Sequence, residues 1–349
     1  MSAHIVGVDI GSASIRAVEL KNADKLKPTV VRFHEVPLAE SSVRRGEVLE
    51  RETVATALRL LWTTGGFKTK DVVLGMGGPR VVSRDLALPK VPAAQVREIL
   101  PFHVQEMLPV PVSDALLDFY PVGEFVGENG PMVTGLLIAA IKEAVSSNIA
   151  AVTMAGLRPV HVDLIPFALV RALGPVRDAP GVSALVSIGA NTTNVVITHD
   201  GVPHFVRIIS TGCAEITQAV ANRMHVEPDV AEALKRGFGL ISGTLSDDQR
   251  AVAETIYASA TELLTSIRNT IDYYVNSRPN LTVDRIVISG GGSKLSGIVE
   301  ALGRLTKLPV LEADPFGGLD LARGVTARST REQQDAMTTA FGLARGTVA

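Results

Sequence analysis

Three short stretches join glycine to small hydroxyl or acidic residues in the way phosphate chemistry requires. Asp9-Ile-Gly-Ser-Ala-Ser14 lies between an apolar run and an alternating one, which predicts a strand-to-strand turn. Consecutive backbone N–H groups of Gly11, Ser12 and Ala13 suit a phosphate, with Gly11 allowing close approach and Ser14 closing the turn. Asp9, at the strand's end, is the carboxylate that could hold a hydrated Mg²⁺ against those phosphates. The pattern recurs from Ser187 to Asn194, where Gly189, Ala190, Asn191 and Thr192 form the turn. The third stretch, Gly290-Gly291-Gly292-Ser293, joins a strand to a helix start, where flat backbone can lie against a purine and N–H groups point outward. Read singly, the first is an ordinary hairpin turn and the third a strand–helix connector. No GxGxxG, GxxxxGK[ST] or GxSxG occurs, so the dinucleotide fingerprint, the P-loop and the hydrolase elbow do not apply.

The elements that must position these turns form an internal repeat. Val6 to Val18 can be laid over Leu185 to Val196, with Ile10 on Ile188, Gly11 on Gly189, Ser14 on Thr192 and Val18 on Val196. Each copy predicts strand, turn, strand. A third strand follows near 29–36 and 202–208, then a helix over 48–62 and 214–223. Two equivalent turns on related halves can clamp one ligand across a cleft.

Between the halves, residues 81–160 do not repeat. They predict a strand, a helix over 93–108, strands near 116–120 and 132–139 around a loop at 123–130, and a helix over 143–155, together a small α+β insert. A long helix over 247–276, a strand over 284–289 and a final helix over 335–344 complete the reading.

The composition narrows the function classes. The 349 residues suggest about two domains, and 46% hydrophobic with 20% charged residues supplies a large core. A formal charge of −2 gives no footprint for nucleic acid. One cysteine, Cys213, fits a reducing compartment and reads as a small buried thiol. No secretion signal is recognised, and the most apolar stretch, 132–141, falls short of the ~20 residues that span a bilayer. The expectation is an intracellular, cytoplasmic protein without direct membrane insertion. His199 and His204 lack a carboxylate cluster and read as surface residues.

The three turns in this order resemble the actin, Hsp70 and sugar-kinase ATPases: first phosphate turn at Asp9–Ser14, second at Ser187–Asn194, adenosine at Ser289–Ser293. Within that superfamily the insert resembles the extra subdomain of the FtsA and PilM families. The PilM family, of type IV pilus assembly, is the closer match over essentially the whole chain. Supporting stretches run over 210–217, 231–235, 267–274, 308–316 and 340–344. The resemblance implies an α/β, actin-like (ribonuclease H-like) two-lobe fold. Residues 1–80 begin lobe 1, 81–160 form the insert, 161–180 continue lobe 1, 181–325 form lobe 2, and 326–349 return to lobe 1. It implies ATP or ADP with Mg²⁺ as cofactors and brings in Gly212. It places Glu232 at the ribose and Lys235 at the adenine side; the alternative for both is a solvated helix pair at i, i+3.

Departures bear on chemistry. The family usually has Asp where Ser187 and Asn194 stand, and a polar residue, commonly Glu, where Ile165 stands. Those carboxylates help to hold Mg²⁺ and position water, so their loss should weaken hydrolysis far more than binding. Asp163 is the nearby carboxylate that could substitute. The leading expectation is therefore a nucleotide-binding cytoplasmic adaptor, at most a weak ATPase. It would bind the N-terminal cytoplasmic peptide of a PilN-like inner-membrane protein in a groove between the first subdomain and the insert. Other inner-membrane pilus assembly proteins are further expected partners, and self-association is compatible with the fold. The alternatives are an FtsA-like division filament protein, disfavoured because 342–349 offers no basic amphipathic helix, and an active ATPase or kinase of the same superfamily.

Overall fold

Strands Val182–Ile188 (β11) and Thr193–His199 (β12) are buried at nearly every position, and His4–Ile10 (β1) is buried at all but its first. Such continuous burial belongs to sheets covered on both faces rather than to one-sided hairpins. The computed structural model describes residues 4–346 except 26, 40, 129, 174–179, 241–245, 279, 323–324 and 326–330, and leaves out the side chains of 247, 248, 331 and 332. Parts of the expected segments 161–180 and 326–349 therefore lie outside the described residues.

Two sheets carry the fold. In the first, β1 pairs antiparallel with Ser14–Lys21 (β2), which pairs with Thr29–Pro37 (β3). On the other side β1 pairs in parallel with Asp71–Met76 (β6), and β6 with Arg158–Leu164 (β10). A short ribbon, Val43–Arg44 (β4) with Glu47–Val48 (β5), precedes β6. In the second sheet β11 pairs antiparallel with β12, which pairs with Val202–Ile209 (β13). Its other neighbours are the parallel strands Arg285–Ser289 (β14) and Val310–Glu312 (β15). Order and direction are the same in both, and Asp320–Leu321 (β16) adds an edge to the first beside β3. The repeat read from the sequence is thus a repeat of whole sheets.

Alternation along the strands sorts side chains into layers. In β1, Val6, Val8 and Ile10 meet Val54, Leu58 and Leu61 of helix Arg51–Gly65 (α1). The opposite face meets helix Ile165–Ala172 (α4) and helix Thr338–Ala344 (α10), which follows the short helix Arg331–Asp335 (α9). In β11, Ala184, Val186 and Ile188 join helices Cys213–Met224 (α5), Asp247–Ser277 (α7) and Ile298–Thr306 (α8). Helix Pro228–Phe238 (α6) packs on α5. Leu185, Val196 and Val206 turn instead into the core shared with α4 and α10, so one apolar layer lies between the two sheets.

Several boundaries differ from the sequence reading for local reasons. Helix α1 begins at Arg51 because Glu47 and Val48 are held in the β4–β5 ribbon, and it ends with Gly66 in the left-handed region. The predicted loop at 123–130 is mostly strand. Ala115–Gly127 (β8) and Gly130–Ile141 (β9) stay paired to the tip and form a separate sheet with Val81–Pro89 (β7). Helix Ala93–Val104 (α2) covers that sheet through Leu100 and Val104 against Leu88 and Leu137. Helix Lys142–Met154 (α3), read from sequence as part of the insert, packs on α1. Its Ser147 Oγ donates to the Val48 carbonyl, and its Asn148 Oδ1 accepts from the Val48 N–H.

The tightest packing lies where α10 meets its neighbours. A Cβ at Gly342 would overlap the Ala168 carbonyl of α4, and one at Gly7 would overlap the Ala340 carbonyl of α10. Gly342→Ala should destabilise the protein by about 1–3 kcal/mol, because rigid backbone must move to admit the methyl. Gly237→Ala, on α6 with open space around it, should be neutral or slightly stabilising. Urea unfolding of the two variants checks the contrast.

Candidate functional site

The first turn is a closed hairpin end. The Gly11 N–H donates to the Ser14 carbonyl at 3.0 Å, and the Leu38 N–H donates to the Ala13 carbonyl. The Gly11 amide expected to face a phosphate therefore closes the turn, leaving the amides of Ser12 and Ala13 at its tip. Strand register then sets Asp9 opposite Arg16, and Arg16 opposite Glu35. The Arg16 guanidinium lies 3.8 Å from Asp9 and 2.8 Å from Glu35.

The second turn copies the first. The Gly189 N–H donates to the Thr192 carbonyl at 2.9 Å, leaving Ala190 and Asn191 at the tip. The carbonyls of Gly189 and Ala190 accept from the N–H groups of Cys213 and Ala214, so the turn sits on the first residues of α5. Gly212 permits this approach, since a Cβ there would stand 2.6 Å from the Ala190 oxygen. Opposite one another here are Ser187 and Asn194, with Ile208 beyond. The charged row Asp9–Arg16–Glu35 thus has the neutral counterpart Ser187–Asn194–Ile208.

The third turn joins the second. Gly290 has φ +84°, and a Cβ on it would come within 2.5 Å of the Ile188 carbonyl; one on Gly292 would press into Cys213 at 2.6 Å. Gly291 faces open space, and Ser293 Oγ donates back to the Gly290 carbonyl. Lys235 is buried, and its Nζ donates to the Cys213 carbonyl, Thr217 Oγ1 and Glu232. The solvated pair expected as the alternative is thus a partly enclosed ion pair packed on α5. The second and third turns, Gly212, Glu232 and Lys235 form one cluster. The first turn belongs to the other sheet; across from it the carboxamide oxygen of Asn194 lies beside Gly77, and the positive charge of Lys294 helps to hold the Glu35 carboxyl down.

Burial pushes the Asp9 carboxyl above its ordinary range; Arg16 pulls it back and Glu35 adds to the rise. For Glu35 burial acts upward too, but Arg16, the Ser14 hydroxyl and Lys294 together hold its carboxyl below the usual value. Burial raises the Cys213 thiol to about 11, with Lys235 opposing, which leaves it protonated at neutral pH. Ile165 packs against Gly75 and Gly77, and Asp163 is ion-paired with Arg171. The turns, with their tip amides and tight glycine approaches, fit phosphates and a flat base. The carboxylate expected to attract Mg²⁺, Asp9, faces the Arg16 guanidinium at 3.8 Å.

A further opening in the surface was not legible in the sequence. A cavity of about 450 Å³ opens between the first sheet's loops and α3, lined by Arg44, Arg45, Glu47, Leu49, Arg80 and Ala144 among others. Arg80 spans its edge, with Nε 3.1 Å from Glu47 and Nη1 2.9 Å from Glu143. The one available sequence signal was the pair of turn-forming runs Arg44-Arg45-Gly46 and Gly77-Gly78-Pro79.

Two like sheets sharing a central core, with glycine turns at matching ends, define an actin-like fold. Solved structures agree. The chain is similar to the PilM–PilN type IV pilus biogenesis complex, with 24% identity, TM-score 0.86, and 99% of this chain and 98% of that one covered. It is also similar to ethanolamine utilization protein EutJ from Carboxydothermus hydrogenoformans, with 16% identity, TM-score 0.59 and coverage of 99% and 90%. Likeness extends to MreB 5 of Spiroplasma citri bound to AMPPNP, with 10% identity, TM-score 0.54 and coverage of 98% and 95%. The family model of the type IV pilus assembly protein PilM matches residues 7–347, and the chain belongs to that family.

Glu232 provides a test of the cluster. Burial opposes its ionisation, but hydrogen bonds from Lys235, Thr217 and Arg236 prevail and set its carboxyl at about 2 against an ordinary 4.5. A carboxyl lowered on folding stabilises the protein above its unfolded value, and that contribution disappears as pH falls through the folded one. Glu232→Gln should therefore lower the melting temperature at pH 7 by about 2–3 °C. The difference from wild type should shrink between pH 4.5 and 2, as thermal melts across that range would record.

Proposed function

We propose that this member of the pilus assembly family is an adaptor with two ligands. It clasps a nucleotide between its sheets, and it holds the extended N-terminal cytoplasmic peptide of a PilN-like inner-membrane protein in the cavity beside Arg80. The observation that carries the reading is the likeness over nearly the full length of both chains, insert included, to the PilM of the PilM–PilN complex. Such a peptide would obtain affinity from main-chain hydrogen bonds and from pockets for alternate side chains, which suits a narrow cavity walled by the β4–β5 ribbon and α3. The protein would then work in the cytoplasm, at the inner face of the membrane through its partner; no helix among the described residues is long and apolar enough to cross a bilayer.

In this reading the tip amides of Ser12 and Ala13 and those of Ala190 and Asn191 meet phosphates from two sides, with Ser14 and Thr192 closing the turns. Gly290 to Ser293 take the base, while Glu232 and Lys235 define the ribose and adenine side. Turnover is slow or absent. Ser187 and Asn194 carry no negative charge and Ile165 orients no water, and each such missing contact typically costs ~10²–10³ in rate. The nucleotide then serves as a clamp between the lobes.

Saturating ATP should raise the melting temperature, since a ligand that binds the folded state stabilises it, without release of phosphate above background. Phosphate release that disappears in an Asp9→Ala variant would contradict the clamp. For the partner, Arg80→Glu should weaken binding of the PilN-like peptide by about tenfold or more, measured by fluorescence anisotropy, while ATP stabilisation is unchanged. An unaltered peptide affinity would place the groove elsewhere.

A further inference from the structure

We infer that the cavity beside Arg80 selects an extended segment that carries an acidic side chain close to an apolar one, with the carboxylate meeting Arg44 and Arg45. The inference rests on the peptide reading above and adds the chemistry that the peptide must bring.

The argument begins with the β4–β5 ribbon. Arg44 is paired with Glu47, so Arg45 and Gly46 alone make the turn, with φ +51° and +79°. Tight ribbons favour such a left-handed turn, but arginine enters that region much less readily than glycine or asparagine. Residues held against their preference in this way gather at ligand contacts. The turn is also clamped from below. A Cβ on Gly78 would overlap the Arg45 carbonyl, and Asn148 Nδ2 donates to the Gly46 carbonyl at 3.2 Å while its Oδ1 accepts from the Val48 N–H. The backbone that carries both arginines is therefore fixed before any ligand arrives.

Charge at the rim is unbalanced. Glu47 and Glu143 are both engaged by Arg80. Arg44 and Arg45 line the same cavity and are exposed, and among the described residues neither has an ion-pair partner. Three arginines against two glutamates leave the rim positive, and the excess sits at the ribbon's tip. The rest of the lining is apolar: Leu49, 54% exposed, with Met76, Val81 and Ala144. A free anion would leave that lining uncovered, and a flat layer of lipid headgroups cannot follow a cavity. An extended chain meets both demands, because residues two apart share one side. A carboxylate can take two parallel N–H bonds from a guanidinium, among the stronger hydrogen bonds in proteins.

The test is fluorescence anisotropy on the full chain with two probes. One is the N-terminal cytoplasmic peptide of the PilN-like protein, and the other is the same peptide with every Asp and Glu changed to Asn and Gln. Wild type should bind the acid-free copy at least about tenfold more weakly. The double variant Arg44→Gln, Arg45→Gln should lose about tenfold on the unaltered peptide and no longer distinguish the two. Arg44→Lys with Arg45→Lys keeps the charge and should retain discrimination; it decides the matter, together with the wild-type comparison, if melting curves show the glutamine variant unfolded. Equal binding of both probes by wild type, or tight binding of a peptide that has no acidic residue, would overturn the inference and leave the peptide reading intact. Discrimination that persists in a folded glutamine variant would also overturn it. No binding of either probe would overturn reading and inference together. Phosphatidylglycerol vesicles bound by wild type but not by the glutamine variant, with the two peptides bound alike, would give the arginines to the membrane and overturn the inference.

Discussion

At Gly342 the backbone of α10 lies directly against the Ala168 carbonyl of α4, and at Gly7 strand β1 lies against the Ala340 carbonyl of α10. No side chain fits between these elements. The arrangement couples the two halves, because α4 also touches β11, β12 and β13 of the second sheet while α10 lies on β1, β2 and β6 of the first. The apolar layer around Leu169, Phe341, Leu185 and Val196 belongs to both sheets at once. Close-packed interiors transmit small displacements rather than absorb them. The positions of the two glycine turns relative to one another are therefore set by helix packing some distance below them.

Sequence pattern revealed what depends on local chemistry and on self-similarity. The Gly189 turn could be found because it copies Gly11, and the equivalence of Ile10 with Ile188 and of Ser14 with Thr192 reappears as the same turn hydrogen bond in both. Helix α7 was legible because its buried residues, from Val252 through Ile256, Leu263 and Ile267 to Tyr274, keep helical spacing. Features set by contacts distant in sequence were hidden. The place of α3 against α1 follows from Ser147 and Asn148 bonding to backbone about a hundred residues earlier. For Lys235 the sequence left a place at the adenine side and a solvated helix pair both open, and its ammonium ends among oxygens from α5. Arg16 was passed over because its significance lies in strand register, which brings Asp9 and Glu35 to it from seven and nineteen residues away.

The two sheets share a topology but differ in charge. The first carries an acid–base–acid row at its turn, while the second has serine, asparagine and isoleucine at the matching positions. Both turns present the same backbone donors, since amide positions depend on the turn and not on its side chains. The cavity beside Arg80 lies among different elements.

The contact between Gly7 and Ala340 also bears on how the molecule is made. Strand β1 is synthesised well before α10, which completes, beside α4, the cover on one face of its sheet more than three hundred residues later. Closing a loop of that length is entropically unfavourable and kinetically late. Until then Ile5, Val18 and Leu20 lack their cover from Phe341 and Leu343, and a nascent chain in that state presents an open apolar surface of the kind that recruits chaperones. The second half, by contrast, contains the strands and most of the helices of its own outer core within one continuous stretch of sequence.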